Sequence, residues 1–134
     1  MTIELAILAW GCVLALLHVL LTAQVRTRQY GAKWNMGARD EELPPPRPVV
    51  GRLERAQANF YETFPLFAAA AIIVSVAHLG TRGTAHGAIL WIAARIVYLP
   101  LYAFGIRYLR TCVWTASLVG IALVIWPALA ATFG

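Results

Sequence analysis

Arg52, Arg55, Asn59 and Glu62 follow one another at intervals of three, four and three residues, at the start of a stretch that is otherwise apolar. Such intervals return to one face of a helix. A second set, Arg95, Tyr98 and Tyr102, repeats at three and four residues inside another apolar run. An ionisable side chain in a membrane-crossing helix is costly, and by default it marks a ligand or a partner group. Guanidinium forks match carboxylates and a carboxylate matches an ammonium. With Gln57 nearby, the two stripes therefore suit a small charged peptide with two carboxylates and an amine. The competing reading is a structural ion pair, Glu62 with Arg95, that only joins two helices.

The elements that position these groups follow from composition. The chain has 134 residues, of which 60% are hydrophobic and 13% charged, about half the charge of an ordinary soluble domain. Mean hydropathy is +0.69. Crossings of about 20 residues each divide the chain into four helices, expected near residues 3–25, 52–79, 87–105 and 111–133, with a polar loop over about 26–51. That is an all-α integral membrane four-helix bundle in one domain. The first run carries Glu4 and no Lys or Arg before it, and it is too long for a signal core, so it is expected to be a retained helix.

The long loop holds Arg26, Arg28, Lys33, Arg39 and Arg47, followed by Arg52 and Arg55, and the last connection holds Arg107 and Arg110, against Arg82 alone at the other end. The positive-inside rule then places both termini away from the cytoplasm. The same rule accounts for the net charge of +5 without nucleic acid as a partner. Pro44, Pro45, Pro46 and Pro48 break the loop before the second crossing, and Pro65 is placed to kink that crossing. The alanines at 68–71 offer a close-approach surface. Trp114 and Trp126 read as interfacial anchors. Cys12 and Cys112 make no metal spacing or disulfide framework, and they read as small lipid-buried or core residues. His18 reads as a packed residue, and His78 and His86 have no metal-ligand spacing, so no metal is expected.

The second crossing ascends and the third descends, so sequence distance converts to depth. Glu62 stands seven residues above Arg55 and Arg95 seven above Tyr102, roughly 10 Å in each case. Equal depth predicts that Glu62 and Arg95 meet.

Arg55, Gln57, Asn59, Glu62 and Pro65, followed by Arg95, Tyr98 and Tyr102, resemble the membrane-associated proteins in eicosanoid and glutathione metabolism, the MAPEG family, over essentially the whole chain. The resemblance implies a homotrimer with glutathione, a co-substrate, held between subunits in the cytoplasmic half of the membrane. It puts Arg55, Gln57, Asn59, Glu62, Arg95, Tyr98 and Tyr102 on the family's glutathione contacts. It also implies a catalytic arginine at the start of the last helix, where Arg110 is best placed and Arg107 is the rival. A guanidinium there favours the thiolate that such chemistry needs. Arg26 and Arg28 match loop arginines that help at the mouth, although topology alone accounts for them. The 31–48 insert resembles the bacterial branch, implying a multi-pass protein of the bacterial inner membrane.

Two features depart from the family pattern. Thr63 stands where some eicosanoid-forming relatives carry an aromatic, so leukotriene or prostaglandin synthesis does not carry over. Pro100, between the tyrosines, is placed to reorient Tyr102. The activity implied is a glutathione transferase or peroxidase acting on a hydrophobic electrophile or lipid hydroperoxide. The rivals are a non-catalytic scaffold of the same fold and, further off, a small multidrug exporter driven through Glu62.

Overall fold

In a computed structural model covering Met1–Gly134, four long helices run side by side. They are α1 (Ile3–Tyr30), α3 (Pro48–Val76), α4 (Arg82–Ala103) and α5 (Leu109–Ala130), with a short α2 (Ala32–Met36) after α1. All four long helices have the length and apolarity to cross a membrane, where a helix is required because it satisfies its own backbone. The helices form a ring in which α1 packs on α3 and α4, and α5 packs on α3 and α4.

Local chemistry sets the boundaries. The Thr2 hydroxyl accepts from the Leu5 amide and starts α1, which continues past the expected residue 25 to Gly31 at φ 95°. Pro48, pre-set for the first helical turn, starts α3 earlier than residue 52. Thr81 and Thr84 form a reciprocal capping box that starts α4 at Arg82 rather than 87. The loop between α2 and α3 is tied down: Tyr30 donates to the Pro44 carbonyl at 2.9 Å, and Gln29 bridges the Pro45 carbonyl and the Arg47 amide.

At the end away from that loop, the buried Glu4 carboxylate accepts the Thr84 hydroxyl hydrogen bond, joining α1 to α4. Thr2 and Ser75 join α1 to α3. The core between these ends is aromatic. Phe67 stacks flat on Trp91, centroids 3.9 Å apart, while Phe60 and Phe64 pack around the same indole. From the alanine run, Ala70 and Ala71 face this core. Helix α3 runs on through Pro65. Cys12 and Cys112 sit on the outer surface of the protomer, so of the two placements expected for them the core is ruled out. Trp126 is also on that surface.

α4 and α5 are in close backbone contact where Gly87 meets Gly120. A Cβ built on Gly120 would lie 2.7 Å from the Gly87 carbonyl oxygen and 2.9 Å from the Trp91 nitrogen. Both obstacles are backbone, which cannot rotate aside. Gly120→Ala is therefore expected to destabilise the protein by about 1–3 kcal/mol through overpacking, against the ~1 kcal/mol of helix propensity that alanine would add at an open position. Thermal unfolding in detergent checks the sign: an unchanged or raised Tm would mean that the two helices are not in contact at these glycines.

Candidate functional site: a basic and aromatic cleft

At the end of the bundle that carries α2 and the α4–α5 turn, the first turns of α3 face the last turn of α4 and the start of α5. Arg52 donates from Nε to the Ala103 carbonyl at 2.8 Å, satisfying an acceptor that the end of α4 leaves free. Its guanidinium lies over Gly105, whose φ of 71° turns the chain toward α5. One turn further along α3, Arg55 donates from Nε to the Tyr102 hydroxyl at 3.2 Å. Arg110, in the first turn of α5, places its guanidinium 4.6 Å from the centroid of the same ring.

Two hollows share Arg110. The outer one, about 350 Å³, is lined by Arg52, Arg55, Tyr102, Gly105, Ile106, Arg107 and Arg110. The inner one, about 200 Å³, is lined by Asn59, Tyr98, Arg110, Thr111 and Trp114. Four guanidinium groups and no acidic side chain line the pair, so the cleft favours an anionic guest such as a carboxylate or a thiolate. Pro100 does not swing Tyr102 away: its ring meets that of Tyr98 edge to face at 5.5 Å.

The expected meeting of Glu62 with Arg95 is not made. Arg95 is 0% exposed, and its Nη1 donates to Asn59 Oδ1 at 3.0 Å. Its cation also rests on Tyr98 at 4.8 Å and on Phe60 at 5.3 Å from the ring centroids. Glu62 is exposed on the protomer and forms no ion pair, the single one in the chain being Arg26 with Glu54. Equal depth does not fix direction around the helix. Asn59 and Glu62 differ by three residues, leaving them about 60° apart around α3, and it is Asn59 that faces Arg95. His18 is also enclosed, its ring tilted 30° to that of Phe60 with centroids 4.8 Å apart, and without a hydrogen-bond partner in the protomer.

Gln57 is separated from the cleft as well. It stands two residues from both Arg55 and Asn59, about 200° around the helix, and it lines a different cavity beneath α2 together with Arg26. Arg26 pairs with Glu54 at 3.1 Å, whereas Arg28 is exposed. Thus Arg55, Asn59, Tyr98, Tyr102 and Arg110 come together, Arg95 supports them from behind, Gln57 lies on the opposite side of α3, and Glu62 is on the outer surface.

Sequence reasoning missed Thr111 as a wall residue and read Trp114 as an anchor, although its ring belongs to the inner hollow. The available signal was helical spacing: Thr111 and Trp114 are three residues apart, and Trp114 lies four after Arg110.

Four apolar spanning helices enclosing an arginine and tyrosine cleft define an integral multi-pass membrane protein of all-α class. The MAPEG family pattern matches residues 7–130, nearly the whole chain, and the chain belongs to that family, the membrane-associated proteins in eicosanoid and glutathione metabolism. No individual curated protein matches it. Family membership weighs against the exporter reading.

Because Asn59 accepts from Arg95, Asn59→Ala removes the hydrogen bond to a buried cation and is expected to lower the unfolding free energy by about 1.5–3 kcal/mol, the range for a hydrogen bond to a charged group. Glu62→Ala is expected to cost clearly less. Equal losses in paired denaturation curves would mean that Glu62 is the true counter-ion.

Proposed function

We propose that this protein is a glutathione-dependent transferase or peroxidase of the membrane interior, working as a homotrimer with its basic end in the cytoplasm of a bacterial cell. One observation carries the reading: α3 presents Arg55 and Asn59 to the two adjoining hollows of one cleft and Gln57 to a separate cavity on its far side. A single protomer thus holds two unlike half-sites. A heterologous contact repeated around a threefold axis closes into a ring, and it would set the Gln57 and Arg26 side of one copy against the Arg55, Asn59 and Tyr98 side of the next. Glu62, exposed in the isolated protomer, would then face a neighbour or a ligand ammonium.

In that cleft Arg52 and Arg55 bind the peptide carboxylates, and Asn59, held by Arg95, binds its backbone. Arg95 acts as a positioning residue, since its own guanidinium is enclosed. Arg110 supplies the field for the sulfur. It sits in the first turn of α5, where the helix dipole adds positive potential, and a free thiol of pKa near 8.5 is otherwise only slightly ionised at neutral pH. The thiolate would attack an electrophilic carbon, forming a C–S bond as the leaving group departs. With a hydroperoxide it would attack the terminal oxygen, forming an S–O bond as the O–O bond breaks and the alcohol leaves with a proton, and a second glutathione would then displace water from the sulfenic acid to give the disulfide. The hydrophobic acceptor arrives from the lipid.

A non-catalytic scaffold is the second reading, favoured by the seating of Arg110 on the Tyr102 ring, where the cation is already engaged. The ultraviolet band of bound thiolate separates the two. Purified protein is expected to bind millimolar glutathione with that band present. Arg55→Ala and Glu62→Ala should weaken binding about tenfold or more, and Arg110→Ala should remove the band while binding persists. Binding without the band in the unaltered protein would establish the scaffold, and no binding by calorimetry would refute the glutathione-dependent enzyme.

A further inference from the structure

We propose that the seam between α1 and α4 is a binding site for a phospholipid whose headgroup carries a primary ammonium, a phosphoethanolamine lipid of the leaflet opposite the arginine cleft. Two hollows follow one another along that seam. At the Glu4 end, a polar hollow of about 390 Å³ is lined by Thr2, Glu4, Gly80, Thr81 and Arg82, among others. Toward the middle of the bundle, a groove of about 460 Å³ is lined by apolar side chains alone, with Ile7, Val13 and Leu17 from α1 and Ile92, Ile96 and Leu99 from α4.

The polar hollow holds two opposite charges that do not meet. Glu4 is only 3% exposed, and its Oε1 accepts from the Thr84 hydroxyl. No cation balances it, because the one ion pair of the protomer is Arg26 with Glu54. Arg82 is exposed on the same hollow and also has no carboxylate partner. A guest that carries both signs completes the two side chains, with its ammonium on Glu4 and its phosphate on Arg82. Gly80 keeps the carboxylate open from above, since a Cβ built there would stand 3.8 Å from Glu4 Oε1. A primary ammonium donates three hydrogen bonds, whereas the trimethylammonium of a choline lipid donates none. An anionic glycerol lipid would bring a second negative charge toward Glu4 and offer it no cation.

The groove has the length of a lipid tail. Ile7 and Leu17 are ten residues apart on α1, roughly 15 Å, which is half of the roughly 30 Å hydrocarbon core. An acyl chain of one leaflet therefore runs its full depth. Val13 and Ile96 are 52% and 54% exposed, so the protomer leaves the groove unfilled. Neither hollow includes a residue of α3, whose two faces are the ones given above to neighbouring copies. This favours lipid over a second copy as the occupant, and nothing in the site depends on glutathione.

The test uses full-length protein in neutral detergent, with lipid binding followed by native mass spectrometry. The probes are dioleoyl phosphatidylethanolamine, its phosphatidylcholine and phosphatidylglycerol counterparts, and tail-free glycerophosphoethanolamine. The first is expected to bind at least about tenfold more tightly than each of the others, a difference of ~1.4 kcal/mol. Glu4→Gln, which keeps an acceptor for Thr84 and removes the charge, should erase most of the preference for ethanolamine over choline. Arg82→Ala should weaken the ethanolamine lipid by about tenfold. Arg82 is exposed at the first turn of α4, where a cation opposes the helix dipole, so this variant is expected to fold and decides the matter should Glu4→Gln not. Phosphatidylcholine or phosphatidylglycerol held as tightly as phosphatidylethanolamine overturns the proposal. Undiminished binding in Arg82→Ala, or equal binding of the tail-free headgroup, does so as well. A wild-type protein without glutathione affinity would refute the preceding section and leave this one standing.

Discussion

An arginine enclosed inside a lipid-embedded bundle is the constraint around which the rest is arranged. Arg95 has no carboxylate in contact, and within the protomer it keeps its charge by donating to Asn59 and resting on the faces of Phe60 and Tyr98. Each of those contacts fixes a neighbour. Asn59 is aimed between α4 and α5, and Tyr98 is held edge to face with Tyr102, which in turn carries Arg55 and Arg110. A buried cation is a poor source of stability, so its worth here lies in specifying one arrangement of groups at the mouth of the bundle.

Around that centre the helices divide the labour. The half of the bundle near Glu4 and Thr84 is aromatic and closely packed, with stacked Phe67 and Trp91 and a glycine contact between α4 and α5. The other half is polar and open, with cavities on both sides of α3. A rigid end thus supports a receptive one, and the membership of this chain in a family of glutathione and eicosanoid metabolism gives the receptive end a chemical setting.

Much of this was legible in the sequence, for physical reasons that also mark where legibility stops. Hydropathy and charge located four spans because lipid demands uninterrupted apolar helices, but the ends shifted with caps such as Thr81 and Pro48, whose effect is local. Periodicity placed Arg55, Asn59, Tyr98 and Tyr102 on common stripes, which the fold brings together. It gave height without direction, so Glu62 was paired with Arg95 when Asn59, on the same stripe, makes the contact. Gln57 followed the family motif, yet a separation of two residues on a helix already implied the opposite face. The short α2 was invisible because five residues carry almost no periodic signal, and with it the enclosed Trp34 escaped notice.

Whether the two faces of α3 belong to one site composed of two copies is the claim that subunit mixing tests most directly. Arg55→Ala and Gln57→Ala protomers, each impaired alone, are unfolded from their oligomers, mixed, reassembled and titrated with glutathione. If neighbouring copies share a site, mixed rings contain interfaces in which an intact Gln57 side meets an intact Arg55 side, and part of the wild-type binding returns. Binding no better than that of the two separate variants would place both residues in a single protomer's site, or in none, and would contradict the shared cleft.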